Sequence, residues 1–222
     1  MNSKLTKIAL VDDHTLVNEA LAKIINDSHG YVVMLQAANG KDLIEQLRKD
    51  NLPDLVILDI HMPVMNGYDT AKWLNEHYPK IIVLVLTMVI TDVSTLLLIQ
   101  SGVHGMVKKN IHTADLLRAI NETIETRCNF PNKRLAALLQ SGPSGGMLAN
   151  SMQLSEREIL FLKLVCGNLT YKEIAFEMGV QPRTVDTYRE NLFRKLSLTS
   201  KTDLVRFALK NGLVSVEALD NS

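Results

Sequence analysis

Five residues in the first half of this 222-residue chain carry side chains suited to chemistry, and each stands at or just past the end of a largely apolar run: Asp12 and Asp13, Asp59, Thr87 and Lys109. Acids that end hydrophobic strands are costly unless they meet at a common edge and do something there. Asp12, Asp13 and Asp59 brought into one pocket would repel each other and call for a cation. With no cysteine or histidine cluster nearby, an all-oxygen donor set suits Mg²⁺, which keeps part of its water shell and takes only a few carboxylates. Thr87 and Lys109 would give a hydroxyl and a cation at the same edge, beside an ion that typically takes phosphate oxygens as well. One acid after a strand is usually a turn or a cap, and it is the coincidence of five positions that argues for chemistry. His14, beside the acids, reads as a solvated residue at a helix start and is left without a role. Met62, Met65, Met88 and Met106 read as packing residues.

The elements that must position these residues follow from the pattern. KIALV, VVMLQA, LVIL, IIVLVL and GMVK are short apolar runs separated by amphipathic stretches of about 10 to 15 residues, a repeated βα unit. The unbroken apolarity of LVIL and IIVLVL predicts strands buried on both faces, as in a parallel sheet covered by helices. The expected fold is α/β: a doubly wound five-stranded parallel sheet in the flavodoxin-like order 2-1-3-4-5. In that order the first and third strands are neighbours and their carboxyl ends share a crevice. Helix starts are expected at Asn39, with Asp42 three residues on, and at Thr113, with Asp115 in the first turn. SGPSGG, within residues 129–153, reads as a flexible connection. Beyond it the chain reads as four helices. Capping boxes at Ser155/Glu158 and Thr170/Glu173, glycine stops at Gly167, Gly179 and Gly212, and Pro182 in a first helical turn mark their limits.

Composition bounds the rest. A hydrophobic content of 46% with 22% charged residues is that of a folded globular chain. No leader pattern or long apolar span stands out, so a cytoplasmic protein with no membrane contact is expected. Cys128 and Cys166 have no metal-ligand spacing and read as thiols without a role. The neutral total conceals an asymmetry: residues 1–127 carry 12 Lys+Arg against 15 Asp+Glu, and residues 128–222 carry 12 against 9. A shift that small argues only weakly for nucleic acid.

With Asp12 and Asp13, Asp59 within DIHMPVMNG, Thr87 and Lys109 in place, residues 5–127 resemble the receiver domain of bacterial two-component response regulators. The resemblance implies that Asp59 is the phosphoacceptor, that Asp13, Asp59 and the His61 backbone carbonyl bind Mg²⁺, and that Asp12 assists through water. It implies a sensor histidine kinase as phosphoryl donor, and a chain that catalyses only its own phosphorylation and dephosphorylation. Where the family often has a switching aromatic residue in the fifth strand, this chain has Met106. The run Leu96, Leu97, Leu98 and Ile99 is more apolar than one buried stripe requires, which leaves a partner surface and a fully buried helix as alternatives.

On a helical wheel, Val185, Tyr188, Leu192 and Leu196 share one side, and Arg183, Asp186, Thr187, Glu190 and Arg194 occupy the other. Such a polar face is of a size to enter a major groove, and is also what any solvated amphipathic helix has. SEREI, KEIA, RTV, KL and the terminal GLV decide between these: residues 154–222 resemble the LuxR/GerE-type helix-turn-helix. Receiver (1–128), linker (129–153) and helix-turn-helix (154–222) together are similar to the NarL/FixJ-type response regulators. The resemblance implies a homodimeric transcription regulator of double-stranded DNA, with RNA polymerase a further partner. Thr184 would anchor phosphate, with Lys172, Arg183, Arg189 and Lys195 as electrostatic grip and Arg194 on the same DNA-facing side. Asp186, Thr187 and Glu190 would face bases, and Tyr188 stands where a histidine is common. Acids at two reading positions are unusual, because they repel phosphate. Two readings from other classes stand beside this one. The first is a phosphotransfer enzyme or phosphatase, which would need a substrate pocket. The second is an interaction module whose helix-turn-helix no longer reads DNA.

Overall fold

The computed structural model describes residues 5–88, 90–131 and 154–214, which fall in two compact units. In the first, five strands alternate with five helices: β1 Thr6–Val11, α1 Thr15–Asn26, β2 Tyr31–Ala37, α2 Gly40–Gln46, β3 Leu55–Asp59, α3 Gly67–His77, β4 Ile82–Thr87, α4 Asp92–Gln100, β5 Gly105–Lys108 and α5 Thr113–Thr126. All pairings are parallel, in the order β2-β1-β3-β4-β5, as the sequence predicts. Every residue of β3 and β4 is buried, which is why these runs are apolar throughout. Ile8, Leu10, Leu55, Ile57 and Leu84 pack with Ile25 of α1 and Ile120 of α5. At roughly 1.5–3 kcal/mol for each large side chain removed from water, that layer fixes the strands and so the ends that carry the acids.

Helix starts are mostly set by side chains. Asn39 accepts from the Asp42 amide, and Asn66, inside the DIHMPVMNG stretch, accepts from the Asp69 amide. Thr91 and Ser94 form a capping box for α4. At α5 the expected start moves by one residue: His112 is the N-cap, without a side-chain cap bond, and Thr113 is the first helical residue. Leu96, Leu97 and Leu98 are all buried, so the apolar run of α4 is no open partner surface here. The first unit's packing continues past Cys128. Asn129 bridges to Gly105 beside β5, its carbonyl accepts from the Met106 amide at 2.8 Å, and Phe130 is buried. The glycine-bearing connection expected at SGPSGG lies outside the described residues.

The second unit holds α6 Glu156–Val165, α7 Tyr171–Glu177, α8 Pro182–Leu196 and α9 Lys201–Lys210. Both expected capping boxes form, and Pro182 occupies the first turn of α8. Gly179 and Gly212 end their helices with φ of 63° and 70°, a conformation that favours glycine. Phe161, Leu162, Ile174, Val185, Leu192 and Leu204 make its core.

Candidate functional site

The carboxyl ends of β1, β3, β4 and β5 lie side by side, and the chemical residues sit on them. Asp59 closes β3 and Thr87 closes β4, while Asp12 and Lys109 follow the last residues of β1 and β5. The ladder continues into these positions: the Asp12 amide donates to Ala37 O at 3.1 Å and the Lys109 amide to Thr87 O at 2.8 Å. Their backbones are therefore as fixed as the sheet. Lys109 Nζ bridges two acids, 2.8 Å from Asp12 Oδ2 and 3.0 Å from Asp59 Oδ2. Asp12, Asp13, His14 and Asp59 each bring one ligand atom into a cluster within 4.8 Å. Thr87 is fully buried one position past Leu86, the partner of Asp59 in the β3–β4 register.

The electrostatics are those of a site under tension. Asp59 is only 4% exposed, and burial pushes its carboxyl above the usual aspartate range, with Lys109 opposing only in part. Burial also works against the charge on Lys109, but its hydrogen bond to Asp12 and the charge of Asp59 prevail and hold its ammonium above the ordinary lysine value. One ammonium thus bridges two of three clustered carboxylates, so acid exceeds base in the cluster. Hard oxygen donors with excess negative charge fit a divalent cation such as Mg²⁺. His14, left without a role in the sequence, packs its Nδ1 3.1 Å from Asp12 Oδ1 and 3.0 Å from Asp13 Oδ1. Its ring stays well exposed, as a residue at a helix start should be. No periodicity marks such a contact; adjacency to Asp13 is the only signal the sequence offers.

The loop after β3 explains the rest of the DIHMPVMNG spacing. Half-buried His61 opens it, and the Gly67 amide closes it on Ile60 O at 2.9 Å. A Cβ at Gly67 would stand 2.4 Å from Asp59 O and 2.8 Å from Ile60 Cα, so only glycine lets α3 start this close to the acid. Val64, 80% exposed, takes φ of 66° in the same loop, an unfavourable conformation for a β-branched residue.

Two families match the chain: "Response regulator receiver domain" over residues 8–121 and "Bacterial regulatory proteins, luxR family" over residues 152–208. This chain belongs to the response regulators. Relatives align over nearly its whole length, and its receiver match precedes its LuxR-type match, as expected of NarL/FixJ-type members. The response regulator GacA of Pseudomonas aeruginosa is 30% identical, aligned over 94% of this chain and 97% of its own. The transcriptional regulatory protein YdfI of Bacillus subtilis is 28% identical over 96% and 100%. In fold, the response regulator resembles RcsB of Salmonella enterica serovar Typhimurium, solved bound to a promoter with a phosphomimetic. The TM-score is 0.65 at 20% identity, over 92% of this chain and 98% of that one.

In the regulator's LuxR-type unit, α8 exposes Arg183, Asp186, Thr187, Glu190 and Arg194 along one face, while Val185 and Leu192 are buried and Tyr188 and Leu196 half-buried. Lys172 is exposed on α7, and Thr184 is half-buried. Two expected cations are engaged within the unit. Arg189 lies 5.4 Å over the Tyr171 ring and 3.2 Å from Asp186. Lys195 Nζ lies 2.8 Å from buried Glu158 of α6. Tyr188 stacks near Phe161 with ring centres 6.4 Å apart, which orients it toward the core side of the helix.

Proposed function

We propose that Asp59 accepts a phosphoryl group from the phosphohistidine of a sensor kinase, and that this controls dimerisation and DNA binding by residues 154–222. The observation that carries the reading is Lys109 bridging Asp12 and Asp59 inside a cluster that also contains Asp13. Asp13, Asp59 and the His61 carbonyl would hold Mg²⁺ directly and Asp12 through water. The ion supplies charge neutralisation for the phosphoryl oxygens. An Asp59 carboxylate oxygen attacks phosphorus, the new O–P bond forms as the N–P bond breaks, and the imidazole leaves and takes up a proton. Lys109 exchanges its bond to Asp59 for one to a phosphoryl oxygen, and the Thr87 hydroxyl donates to another. The product adds about −1.5 to −2 charges at the strand ends, enough to reorganise the loops that carry Thr87 and Lys109. Slow hydrolysis at the same acid resets the protein, so it processes no external substrate.

For DNA, the open face of Arg183, Thr187, Glu190 and Arg194, with Asp186 beside it, is the reading surface. Thr184 and Lys172 contact phosphate, and Tyr188, Arg189 and Lys195 shape the helix behind that face. Exposed Asp186 and Glu190 accept only from donors such as cytosine N4, and weaken a monomer on DNA. A dimer doubles the contacts and sets half-sites roughly 10 bp apart. The division of labour is receiver 1–128, linker 129–153 and DNA-binding unit 154–222. RNA polymerase is the further partner a promoter-bound regulator meets. Work of this kind belongs in the cytoplasm, and among the described residues no helix is long and apolar enough to cross a membrane.

Acetyl phosphate with Mg²⁺ tests the reading. The parent should gain one phosphoryl group by mass, form more dimer and capture genomic DNA in a salt-dependent way, while Asp59→Asn gains nothing and chelation of Mg²⁺ stops the reaction. Equal labelling of both proteins rules out Asp59. Phosphorylation and dimerisation without DNA capture would favour the interaction-module reading that the exposed acids of α8 suggest.

A further inference from the structure

Beneath the acids, α1 brings one polar side chain into the core. Asn18 is 6% exposed and donates through Nδ2 to two strand ends, Asp12 O at 3.3 Å and Ala37 O at 3.1 Å. Those two bonds fix the amide's orientation, since the flipped amide would set its oxygen against two carbonyls. Asn18 Oδ1 is left buried with no partner among the described residues. A buried acceptor without a donor is costly, and native proteins usually give such an atom a protein donor or an ordered water. Asn18 also lines a small cavity of about 10 Å³, shared with Asp12 and Asp59 and otherwise walled by Leu10, Leu21, Leu86 and other apolar side chains. That volume holds one water and little else, and a water there needs at least two polar partners. Asn18, Asp12 and Asp59 are the polar side chains of that lining.

Resting on the reading of Asp12 and Asp59 as the Mg²⁺ and phosphoacceptor site, we propose that Asn18 is a positioning residue of that site. Its amide nitrogen ties the end of β1 to the end of β2, and its amide oxygen holds a single water that donates onward to an Asp12 or Asp59 carboxylate. The bond to Asp12 O fixes the backbone from which both Asp12 and Asp13 project, so metal affinity should depend on Asn18 more than the rate of phosphoryl transfer does. His14 and Lys109 engage the Asp12 carboxylate itself, at 3.1 and 2.8 Å.

The experiment uses the full chain. A crystal structure fine enough to refine waters, or water-to-amide cross-relaxation in solution, should place one water on Asn18 Oδ1. Asn18→Leu, close in size, should bind Mg²⁺ about fivefold more weakly by calorimetry, the worth of roughly one hydrogen bond. At saturating Mg²⁺ its labelling by acetyl phosphate should fall less than twofold. A merely structural residue would lower the melting temperature and leave Mg²⁺ affinity unchanged, and that result in a folded variant overturns the proposal. So does a parent structure with Oδ1 still lacking a water. Should Asn18→Leu fail to fold, Asn18→Ser, too short to reach both carbonyls, carries the same two expectations. A parent that is never labelled at Asp59 defeats the functional reading instead, and leaves the water and the Mg²⁺ titration to decide the role of Asn18.

Discussion

Glu158 and Lys195 are 37 residues apart and join α6 to α8 in the DNA-binding unit through a 2.8 Å ion pair. Glu158 is 4% exposed, and its Oε2 also accepts from Ser155 N at 2.8 Å and Ser155 Oγ at 2.9 Å. Lys195→Met would leave that carboxylate buried with hydrogen bonds but no opposing charge. A hydrogen bond to a charged group is worth about 1.5–3 kcal/mol, and because Lys195 keeps a quarter of its side chain in water the lower end applies, about 1.5 kcal/mol. Over a unit of this size that is roughly 6–12 °C in melting temperature. Glu158→Gln should cost about 1 kcal/mol, and the double variant should show coupling of about 1 kcal/mol. Although burial acts the other way, Lys195 and the Ser155 donors hold the Glu158 carboxyl below the usual glutamate range. A depressed carboxylate contributes stability above its unfolded value near 4.5 and loses it as pH falls through the lower folded value, so the coupling should vanish on acidification. The lone Trp73 lies in the receiver, so the assay is hydrogen exchange of α6 and α8 amides in the full chain. The same pair decides what Lys195 does on DNA. Each phosphate contact contributes about 0.9 to the slope of log affinity against log salt, so Lys172→Ala should lower the slope by that amount and Lys195→Met should leave it unchanged. Coupling below about 0.3 kcal/mol, or a slope that falls by about 0.9 in Lys195→Met, would refute the reasoning by placing that ammonium on phosphate.

Three further outcomes follow from the receiver. Asp59→Asn should raise the melting temperature in Mg²⁺-free buffer at neutral pH, followed by Trp73 fluorescence. Burial lifts the folded carboxyl above 3.8, so the parent loses stability as pH climbs from there through the folded value, and the variant's advantage should disappear in acid; a variant no more stable at neutral pH contradicts this. Gly67→Ala forces a methyl to 2.4 Å from Asp59 O, and should cost about 3 kcal/mol and slow labelling of Asp59; a variant with the parent's melting curve would show that the loop yields freely. Val64→Asn should stabilise by about 1 kcal/mol, because asparagine tolerates positive φ better than valine, and unchanged urea unfolding would deny that strain.

Much of the receiver was legible because its chemistry is tied to the sheet. A parallel strand buried on both faces is written as an unbroken apolar run, so the residue that ends the run is visible in one dimension, and the crossing rule for βαβ units brings those ends together. Asp59, Thr87 and Lys109 are found this way. The capping boxes at Ser155 and Thr170 are equally local. What resisted reading has no period. Ser94 completes a capping box that Glu or Gln usually completes, and His112 caps α5 with no side-chain bond to announce it.

The same distinction separates the two roles of the polar residues. Glu158 was legible as the third residue of a capping box, but a carboxylate can accept more bonds than the cap uses, and the partner for that spare capacity is set by how α6 crosses α8. Asn18 was illegible for the same reason, being one polar residue on a face of α1 whose neighbours are apolar. Asparagine there is an error of pattern unless its two ends are both bonded, and the structure supplies strand ends for one and a water-sized space beside two acids for the other. A polar residue that breaks a buried face is therefore where the sequence records a tertiary constraint. In this response regulator the constraint bears on Asp12 and Asp59, two of the aspartates clustered at the strand ends.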